Sequence, residues 1–409
     1  RPIVLARKNG NYELARNVAP GLSEVGAFLP YSPLHTLLLD EYGSPLVATS
    51  ANISGEPVLT DNTEVEMRIA DIVDAYLHHD RPIVRPADDP VYRRVGGEMR
   101  PIRIGRGCAP VEIDLPWRQK EPVLAVGGHM KGTVALSWDD RVVVSPHIGE
   151  MDSPRSLKVF EQVALDLQRL YGVAAKRIVC DAHPGYTTHR WARRQALPVE
   201  TVWHHAAHAS AMAAECGVTD DCLIFTWDGV GLGEDGTLWG GEALLGRPGS
   251  WRRVGSIRPF RLPGGDKAGR EPWRSAAAVT WEAGREWADC PDPDDIARQA
   301  WSRNLNCLET SAVGRLFDAA AALILGKTHV SFEAEGPMLL ESMCRDSADP
   351  VLVPLEKDAL GIWRADWQPL VQQMADDGRS PGLRAEIFHS SMARLVLEQA
   401  RAIRDEHGV

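Results

Sequence analysis

The chain has 409 residues, 44% of them apolar and 25% charged, with a formal net charge of -11. This is ordinary globular composition with length for two or three domains. The acidic balance argues against a broad nucleic-acid surface, which needs local excess Lys and Arg, and no apolar run approaches the ~20 residues of a membrane span.

Cys108, Cys180, Cys216, Cys222, Cys290, Cys307 and Cys344 form no close pair. Such an odd, unpatterned set fits reduced thiols in the cytoplasm rather than a disulfide framework or a zinc knuckle. The first residue is Arg1, without a signal-peptide pattern, so the natural N-terminus is expected upstream.

In chain order, residues 45–49 read as a short apolar strand and 81–106 as strands broken by Gly96-Gly97. The polar stretch 116–122, bracketed by Pro116 and Pro122, is the clearest seam. It divides a first domain, 1–115, from a second, 123–409. Beyond it, 123–126, 134–138 and 142–144 look like successive strands, with Gly127-Gly128 and Asp139-Asp140 at the turns. Leu157, Phe160, Val163, Ala164, Leu167 and Leu170 then recur at helical spacing.

Strand candidates at 178–180, 199–203 and 223–227 alternate with helices, which predicts an α/β layer architecture. Hairpin strands followed by alternating helices fit an actin-like, sugar-kinase-like core. The acidic, proline-containing stretch 291–295 reads as a surface loop, and 316–325, despite Asp318, as a buried helix. A last helical pattern runs through Phe388, Met392, Leu395 and Ile403 and stops at Val409. An α/β core should not end there with its last sheet unfinished, so truncation at both ends is expected.

The most informative cluster is Trp203-His204-His205-Ala206-Ala207-His208, after a strand and opening an alanine-rich helix. Residues four apart share a helix face, so His204 and His208 are predicted to converge on one metal while His205 points elsewhere. Imidazole suits zinc or iron, and Asp228, at the end of strand 223–227, is positioned as a third ligand. The H-E-x-x-H protease signature is absent, because His205 stands where its Glu would be. A polar helix start with solvent-satisfied histidines is the plain alternative, weakened by the neighbouring glycine loop.

That loop runs from Asp228 through Gly229, Gly231, Gly233 and Gly236 to a strand, Leu238-Trp239-Gly240-Gly241-Glu242. Glycines let backbone N–H groups approach phosphate oxygens, although a ligand-free hairpin reads the same way. The spacing is neither the Walker nor the Rossmann pattern. Gly127-Gly128-His129-Met130-Lys131-Gly132-Thr133 offers amides and one cation, Lys131. Leu262-Pro263-Gly264-Gly265-Asp266 leads into Glu271-Pro272-Trp273-Arg274. Three glycine turns in one α/β domain favour a nucleotide cleft.

Arg315 and Asp318, three apart on the helix opened by Ser311, can pair. Asp181-Ala182-His183-Pro184-Gly185-Tyr186 follows a strand and reads equally as a ligand loop or a structural one. In the first segment, Thr49-Ser50-Ala51-Asn52-Ile53-Ser54-Gly55 gathers hydroxyls and an amide suited to phosphate or carboxylate, or to a turn or helix cap. Arg103 and Arg106 either contact an anion or line a solvated edge strand.

Taken in order, these residues resemble the HypF family, the carbamoyltransferases of nickel–iron hydrogenase maturation. Residues 49–55 and the Arg103/Arg106 region look like the C-terminal half of its YrdC-like, adenylate-forming domain. The later motifs look like its two-lobed, actin-like (ASKHA), Kae-type transferase domain. The resemblance implies that Thr49, Ser50, Asn52 and Ser54, with Arg103 and Arg106, orient a first nucleotide. It implies that Gly229, Gly231, Gly233, Gly264, Gly265 and Asp266 shape a second nucleotide site. His204, His208 and Asp228 would hold a divalent metal, zinc or iron, with Asp228 and Lys131 as catalytic residues.

The implied reaction uses carbamoyl phosphate and ATP with Mg to make carbamoyl-adenylate. It then delivers the carbamoyl group to the C-terminal cysteine of HypE, the precursor of the iron's cyanide ligands. The acylphosphatase-like domain and cysteine-rich zinc module that open the family would lie upstream of Arg1. The stretch Ser331-Phe332-Glu333-Ala334-Glu335-Gly336-Pro337 departs from the family's Tyr-Glu-Gly-Gln form. Two rivals stand beside this reading: a small-molecule O-carbamoyltransferase, and a fragment that binds nucleotide without turnover. The acidic balance and the fusion of both domains disfavour a tRNA threonylcarbamoyl role.

Overall fold

The structure is a computed structural model that describes residues 1–10, 14–292 and 294–408. The chain divides into two compact units, residues 1–19 with 24–202 and residues 20–23 with 203 onward.

The first unit carries two sheets. In one, β1 (Ile3–Arg7), β2 (Glu24–Ala27), β3 (Val91–Val95) and β4 (Glu98–Arg103) lie in the order β2-β1-β3-β4. Gly96 and Gly97, with φ of 61° and 90°, close the β3–β4 hairpin where an L side chain would be strained. Helix α1 (Pro33–Tyr42) is capped by Ser32 and stopped by Gly43, and α2 (Asn62–Arg68) is capped by Asp61. The strand expected at 45–49 does not form: no ladder among the described strands includes it, and Leu46 and Val47 are exposed. An apolar run becomes a strand only where a partner backbone satisfies its N–H and C=O groups.

The second sheet has the order β10-β9-β6-β7-β8-β5, from β5 (Val111–Asp114), β6 (Val123–Ala125), β7 (Ala135–Trp138), β8 (Arg141–Val144), β9 (Arg177–Asp181) and β10 (Val199–Val202). The expected hairpin strands β6–β8 are antiparallel, and β9 and β10 then add in parallel beside β6. Parallel addition needs a crossover. Helices α3 (Pro154–Tyr171) and α4 (Thr187–Ala192) supply it, α3 starting at the Ser153 cap and ending at left-handed Gly172. Phe160, Ala164 and Leu167 of α3 bury against Leu124, Leu136, Val143 and Ile178 of the sheet. The seam has a consequence for packing: β5, just before it, is already the edge strand paired to β8.

The second unit opens with α5 (His204–Glu215) and is built on a sheet ordered β14-β15-β12-β13-β17-β16, with β11 also paired to β12. Its strands are β11 (Cys222–Leu232), β12 (Leu238–Arg247), β13 (Ser250–Ile257), β14 (Phe260–Pro263), β15 (Cys307–Thr310), β16 (Leu355–Lys357) and β17 (Trp363–Ala365). The helices are α6 (Trp273–Glu282), α7 (Ile296–Ser302), α8 (Val313–Leu325), α9 (Glu335–Met343), α10 (Gln368–Met374) and α11 (Pro381–His407).

Helix α8, the expected buried helix, shares a core with α6 and α11 in which alanines 276, 278, 319 and 320 sit beside Leu316, Phe388, Met392 and Leu395. Small side chains let helix backbones approach closely, and each large apolar residue buried there contributes about 1.5–3 kcal/mol. Of the expected surface loop 291–295, Asp294 and Asp295 are exposed and Pro293 lies outside the described residues. No helix among the described residues is long and apolar enough to cross a membrane.

Candidate functional site

Strand β10 ends at Val202, and its exit delivers His204 as the first residue of α5. His204 and His208 lie one helical turn apart, and β11 brings Asp228 against them. His204 Nε2 is 3.3 Å and His208 Nε2 3.6 Å from Asp228 Oδ2, and the two Nε2 atoms are 3.2 Å apart. Their ligand atoms all lie within 4.8 Å of one another. A triangle with those sides has a circumradius of about 2.0 Å, which matches the ~2.0–2.2 Å bonds of zinc to imidazole and carboxylate. The donor set, two imidazoles and one carboxylate, also suits zinc or iron. The residues therefore fit a divalent metal.

His205 stays outside this ligand triangle, as helical spacing implies, yet it reaches the far oxygen of the same carboxylate. His205 is fully buried and its Nε2 lies 3.1 Å from Asp228 Oδ1. Neighbouring helical residues diverge by about 100°, and Asp228 sits where both directions still reach one carboxylate. Burial, the largest single influence on Asp228, opposes its ionisation. Hydrogen bonds from His204 and His205 outweigh that and hold the carboxyl well below the usual carboxylate range.

The glycine segment is not the plain loop expected. β11 continues through Gly229 to Leu232 with a bulge, because Gly231 and Leu232 still pair with Trp239 and Leu238 of β12. A Cβ on Gly231 would lie 2.5 Å from His204 Cδ2 and 2.8 Å from His205 Cε1, and one on Gly240 would lie 2.7 Å from Asp228 Oδ1. Gly233 is closed off in the same way by the Trp239 indole. These glycines make room for the histidines and the carboxylate.

Beside them is a group the sequence did not single out. Glu242 is fully buried and accepts hydrogen bonds from the N–H groups of Gly240 and Gly241, from Ser256 and Ser311, and from Arg253 at 2.5 Å. Its carboxylate pins the start of β12 next to Asp228. A charged residue at an inward strand position was the available signal.

Around Gly229 the expected charged pair forms, with Arg315 Nη2 3.0 Å from Asp318 Oδ2. Gly314 of α8 is pressed onto Gly229, where a Cβ would meet Gly229 Cα at 2.8 Å. The Arg315 guanidinium lies between Gly229 and Gly269, 3.8 Å and 3.5 Å from where their Cβ atoms would be. It thereby links the Asp228 glycines to the turn after β14. In that turn Gly264 and Gly265 take φ of 98° and 55°, and Asp266 is exposed. Burial, with the Glu333 charge nearby, pushes the Asp318 carboxyl up to about 6 against the pull of Arg315.

In the first unit, Gly127 and Lys131 adopt left-handed φ of 62° and 51°. The Thr188 hydroxyl donates to the carbonyls of Gly127 and Gly128 at 3.2 and 3.1 Å, which ties this turn to the start of α4. His129 Nε2 is 2.7 Å from Asp152, and its ring stacks near Tyr186, so the 127–133 and 181–186 segments meet. Lys131 is exposed, and its backbone N–H donates to Glu150 at 3.3 Å.

The 49–55 segment closes on itself. Ser50 Oγ donates to Asn52 Oδ1, and Asn52 Nδ2 donates to the carbonyls of Ile53 and Glu56, both at 3.0 Å, while Thr49 and Ser54 are exposed. Arg103 donates to the Asp89 carbonyl at 2.9 and 3.0 Å, and Arg106 pairs with the Asp89 carboxylate at 2.7 Å and with Tyr31. These arginines thus have partners at 88–89 and 31, and Ser50 and Asn52 have theirs within their own loop.

Comparison with known proteins shows which family the chain falls in. The family described as HypF Kae1-like domain matches residues 118–215, and that described as carbamoyltransferase, Kae1-like domain, second subdomain, matches 224–409. The Sua5/YciO/YrdC family, described as telomere recombination, matches 1–105. A carbamoyltransferase HypF homolog of Cupriavidus necator is 32% identical over 312 residues, which is 70% of this chain and 78% of the relative. The chain belongs to the HypF carbamoyltransferase family.

The carbamoyltransferase HypF of Synechocystis sp. is 37% identical over 98% of this chain and 55% of its own length. That of Rhizobium leguminosarum is 36% identical over 96% and 53%. The chain spans about half the length of these curated HypF proteins. A crystal structure of full-length HypF in a phosphate- and nucleotide-bound form superposes with a TM-score of 0.94 at 31% identity, covering 100% of this chain and 66% of that one. T. kodakarensis HypF gives 0.90 at 28% identity, covering 100% and 56%. The α/β fold is thus that of HypF, with its YrdC-like and Kae1-like domains.

Proposed function

We propose that this chain supplies the adenylate-forming and transfer parts of an ATP-dependent carbamoyltransferase that acts in hydrogenase maturation. In this reading residues 1–115 are part of the YrdC-like domain, 116–122 a linker and 123–409 the Kae-type domain. Carbamate released from carbamoyl phosphate attacks the α-phosphorus of ATP, pyrophosphate leaves, and carbamoyl-adenylate forms. The thiolate of the C-terminal cysteine of HypE then attacks the carbamoyl carbon, the C–O bond to phosphate breaks, and AMP departs. The mixed anhydride hydrolyses readily, so passage between adjacent domains of one chain protects it from water.

The observation that carries this reading is the triangle of His204, His208 and Asp228 in a chain of this family. A divalent ion held there, zinc or iron, supplies Lewis acidity and a template at the carbamoyl or phosphate oxygens, while Mg accompanies ATP. The exposed hydroxyls of Thr49 and Ser54, on a turn shaped by Ser50 and Asn52, are suited to the first nucleotide. Gly229, Gly231 and Gly233 with Gly264, Gly265 and Asp266 are assigned to the second, and Lys131 supplies a cation for the transferring group. Seven unpaired cysteines support a cytoplasmic setting.

ATP–pyrophosphate exchange that depends on carbamoyl phosphate, run on the full-length protein and on this chain, tests the reaction. Exchange in the full-length protein is expected, and its absence overturns the proposal. In His204→Ala and His208→Ala, elemental analysis should find the bound metal lost from both; wild-type content in both refutes the ligand assignment. Mass spectrometry of HypE decides the acceptor: a carbamoylated C-terminal cysteine is expected, whereas carbamoylation only of a small-molecule hydroxyl favours the rival enzyme.

A further inference from the structure

His205 is the member of the histidine run that the metal reading leaves without a task, and its surroundings are unusually defined. The side chain is fully buried, with Trp239 at a ring-centroid distance of 6.0 Å on one side and the bare backbone of Gly231 on another. Its Nε2 lies 3.1 Å from Asp228 Oδ1, while its Nδ1 is buried with no hydrogen-bond partner among the described residues. A buried imidazole kept only for packing would be outperformed by an apolar residue of similar size, because an unsatisfied buried polar atom costs about 1–3 kcal/mol. The ring sits there at that cost, and among the described residues its hydrogen-bond partner is the carboxylate of the candidate metal centre.

We propose that His205 is a positioning residue for that centre: it donates Nε2–H to Asp228 Oδ1 and so keeps Oδ2 turned toward His204 and His208. The proposal rests on the metal reading above. A carboxylate is free to exchange its two oxygens by rotation, and a metal site gains affinity when that freedom is removed before the ion arrives. Here the two oxygens are already divided. Oδ1 faces His205, and Oδ2 lies 3.3 Å and 3.6 Å from the other two imidazoles. The ring is fully buried, packed between the Trp239 indole and the backbone of Gly231, so the hydrogen bond holds the carboxylate rather than following it. This bond requires a proton on Nε2, because a carboxylate oxygen accepts.

The test compares two near-isosteric variants of the whole chain. His205→Gln carries an amide N–H donor where the imidazole has Nε2, and His205→Met has the same length without a donor. Zinc and cobalt(II) affinity are measured by chelator competition, with the cobalt d–d spectrum and the melting temperature of the metal-free proteins recorded in parallel. His205→Met should bind about 10–100-fold more weakly with an altered cobalt spectrum, and His205→Gln should recover most of the loss, both melting alike without metal. Equal affinity and spectrum in His205→Met and wild type overturn the proposal. So does a Gln variant that folds but binds no better than Met.

Should neither variant fold, long-range 1H–15N spectra of wild type still decide: a proton on Nε2 of His205 is expected, and an unprotonated Nε2 overturns the assignment. A wild-type chain that takes up neither zinc nor cobalt fails at an earlier point. It sinks the metal reading, and this proposal with it.

Discussion

Gly231→Ala separates the two reasons a glycine can occupy that position. A methyl group there would fall 2.5 Å from His204 Cδ2, 2.7 Å from its Cγ and 2.8 Å from His205 Cε1, so the nearest ring must yield by about 0.9 Å to reach an ordinary 3.4 Å contact. His205 has no solvent-exposed surface, whereas the His204 side chain is 23% exposed, so the movement falls on His204. A ring displaced by that amount carries Nε2 out of its 3.2 Å and 3.3 Å separations from His208 and Asp228.

Overpacking of this kind costs about 1–3 kcal/mol of stability. Even a 1.4 kcal/mol share expressed at the centre lowers metal affinity about tenfold. The expected result is therefore at least a tenfold loss of zinc affinity by chelator competition, together with a lower denaturant midpoint. Gly236→Ala is the control: it lies in the same β11–β12 connection with φ of 79° and open space around its Cβ. It should cost about 1–2 kcal/mol in backbone strain without touching the metal. Wild-type metal affinity in Gly231→Ala refutes the steric argument. Equal losses in both variants show that affinity merely follows stability. Loss of nucleotide affinity alone returns Gly231 to the nucleotide site.

Asp318 gives a pH signature. Its carboxyl is raised from 3.8 to about 6 in the folded chain, chiefly by burial. Its contribution is thus fully present below pH ~4 and lost as pH rises through ~6, a change of about 3 kcal/mol. In Asp318→Asn this component disappears, so the stability of wild type relative to the variant should fall by about 2 kcal/mol between pH 4 and pH 7 in urea titrations; a constant difference refutes it. Glu242→Gln should destabilise by about 1–3 kcal/mol in chemical denaturation, because the buried Arg253 guanidinium loses one of its two carboxylate partners, keeping Asp235 at 3.0 Å, and two backbone N–H bonds weaken. A cost below about 1 kcal/mol would mean that the carboxylate does not pin β12.

What could be read before folding was local. Apolar runs separated by the Gly127-Gly128 and Asp139-Asp140 turns, and the helical spacing from Leu157 to Leu170, carried β6 to α3, because these signals are written within a few residues of one another. The stretch 45–49 has the same apolar character and no strand, because pairing depends on a distant backbone that the run itself cannot specify. His204 and His208 follow from helical period and Asp228 from its place at a strand end. A helical wheel gives direction about an axis, however, and not the position of the neighbouring strand. The 3.1 Å contact of His205 with Asp228 Oδ1 was therefore not legible, although its place outside the ligand triangle was.

The glycines carry the same lesson further. In sequence, a glycine run is ambiguous between backbone that must approach a phosphate and backbone that must approach side chains of its own protein. Gly231 and Gly240 have no room for a Cβ because His204 and Asp228 stand 2.5 Å and 2.7 Å from where it would be. Gly229 is the contrasting case. The nearest groups to its missing Cβ are Arg315 and Glu333, both 3.8 Å away, so an alanine would fit beside those charges. The steric argument that fixes Gly231 and Gly240 therefore does not extend to the Cβ position of Gly229, whose backbone is instead approached by Gly314 of α8.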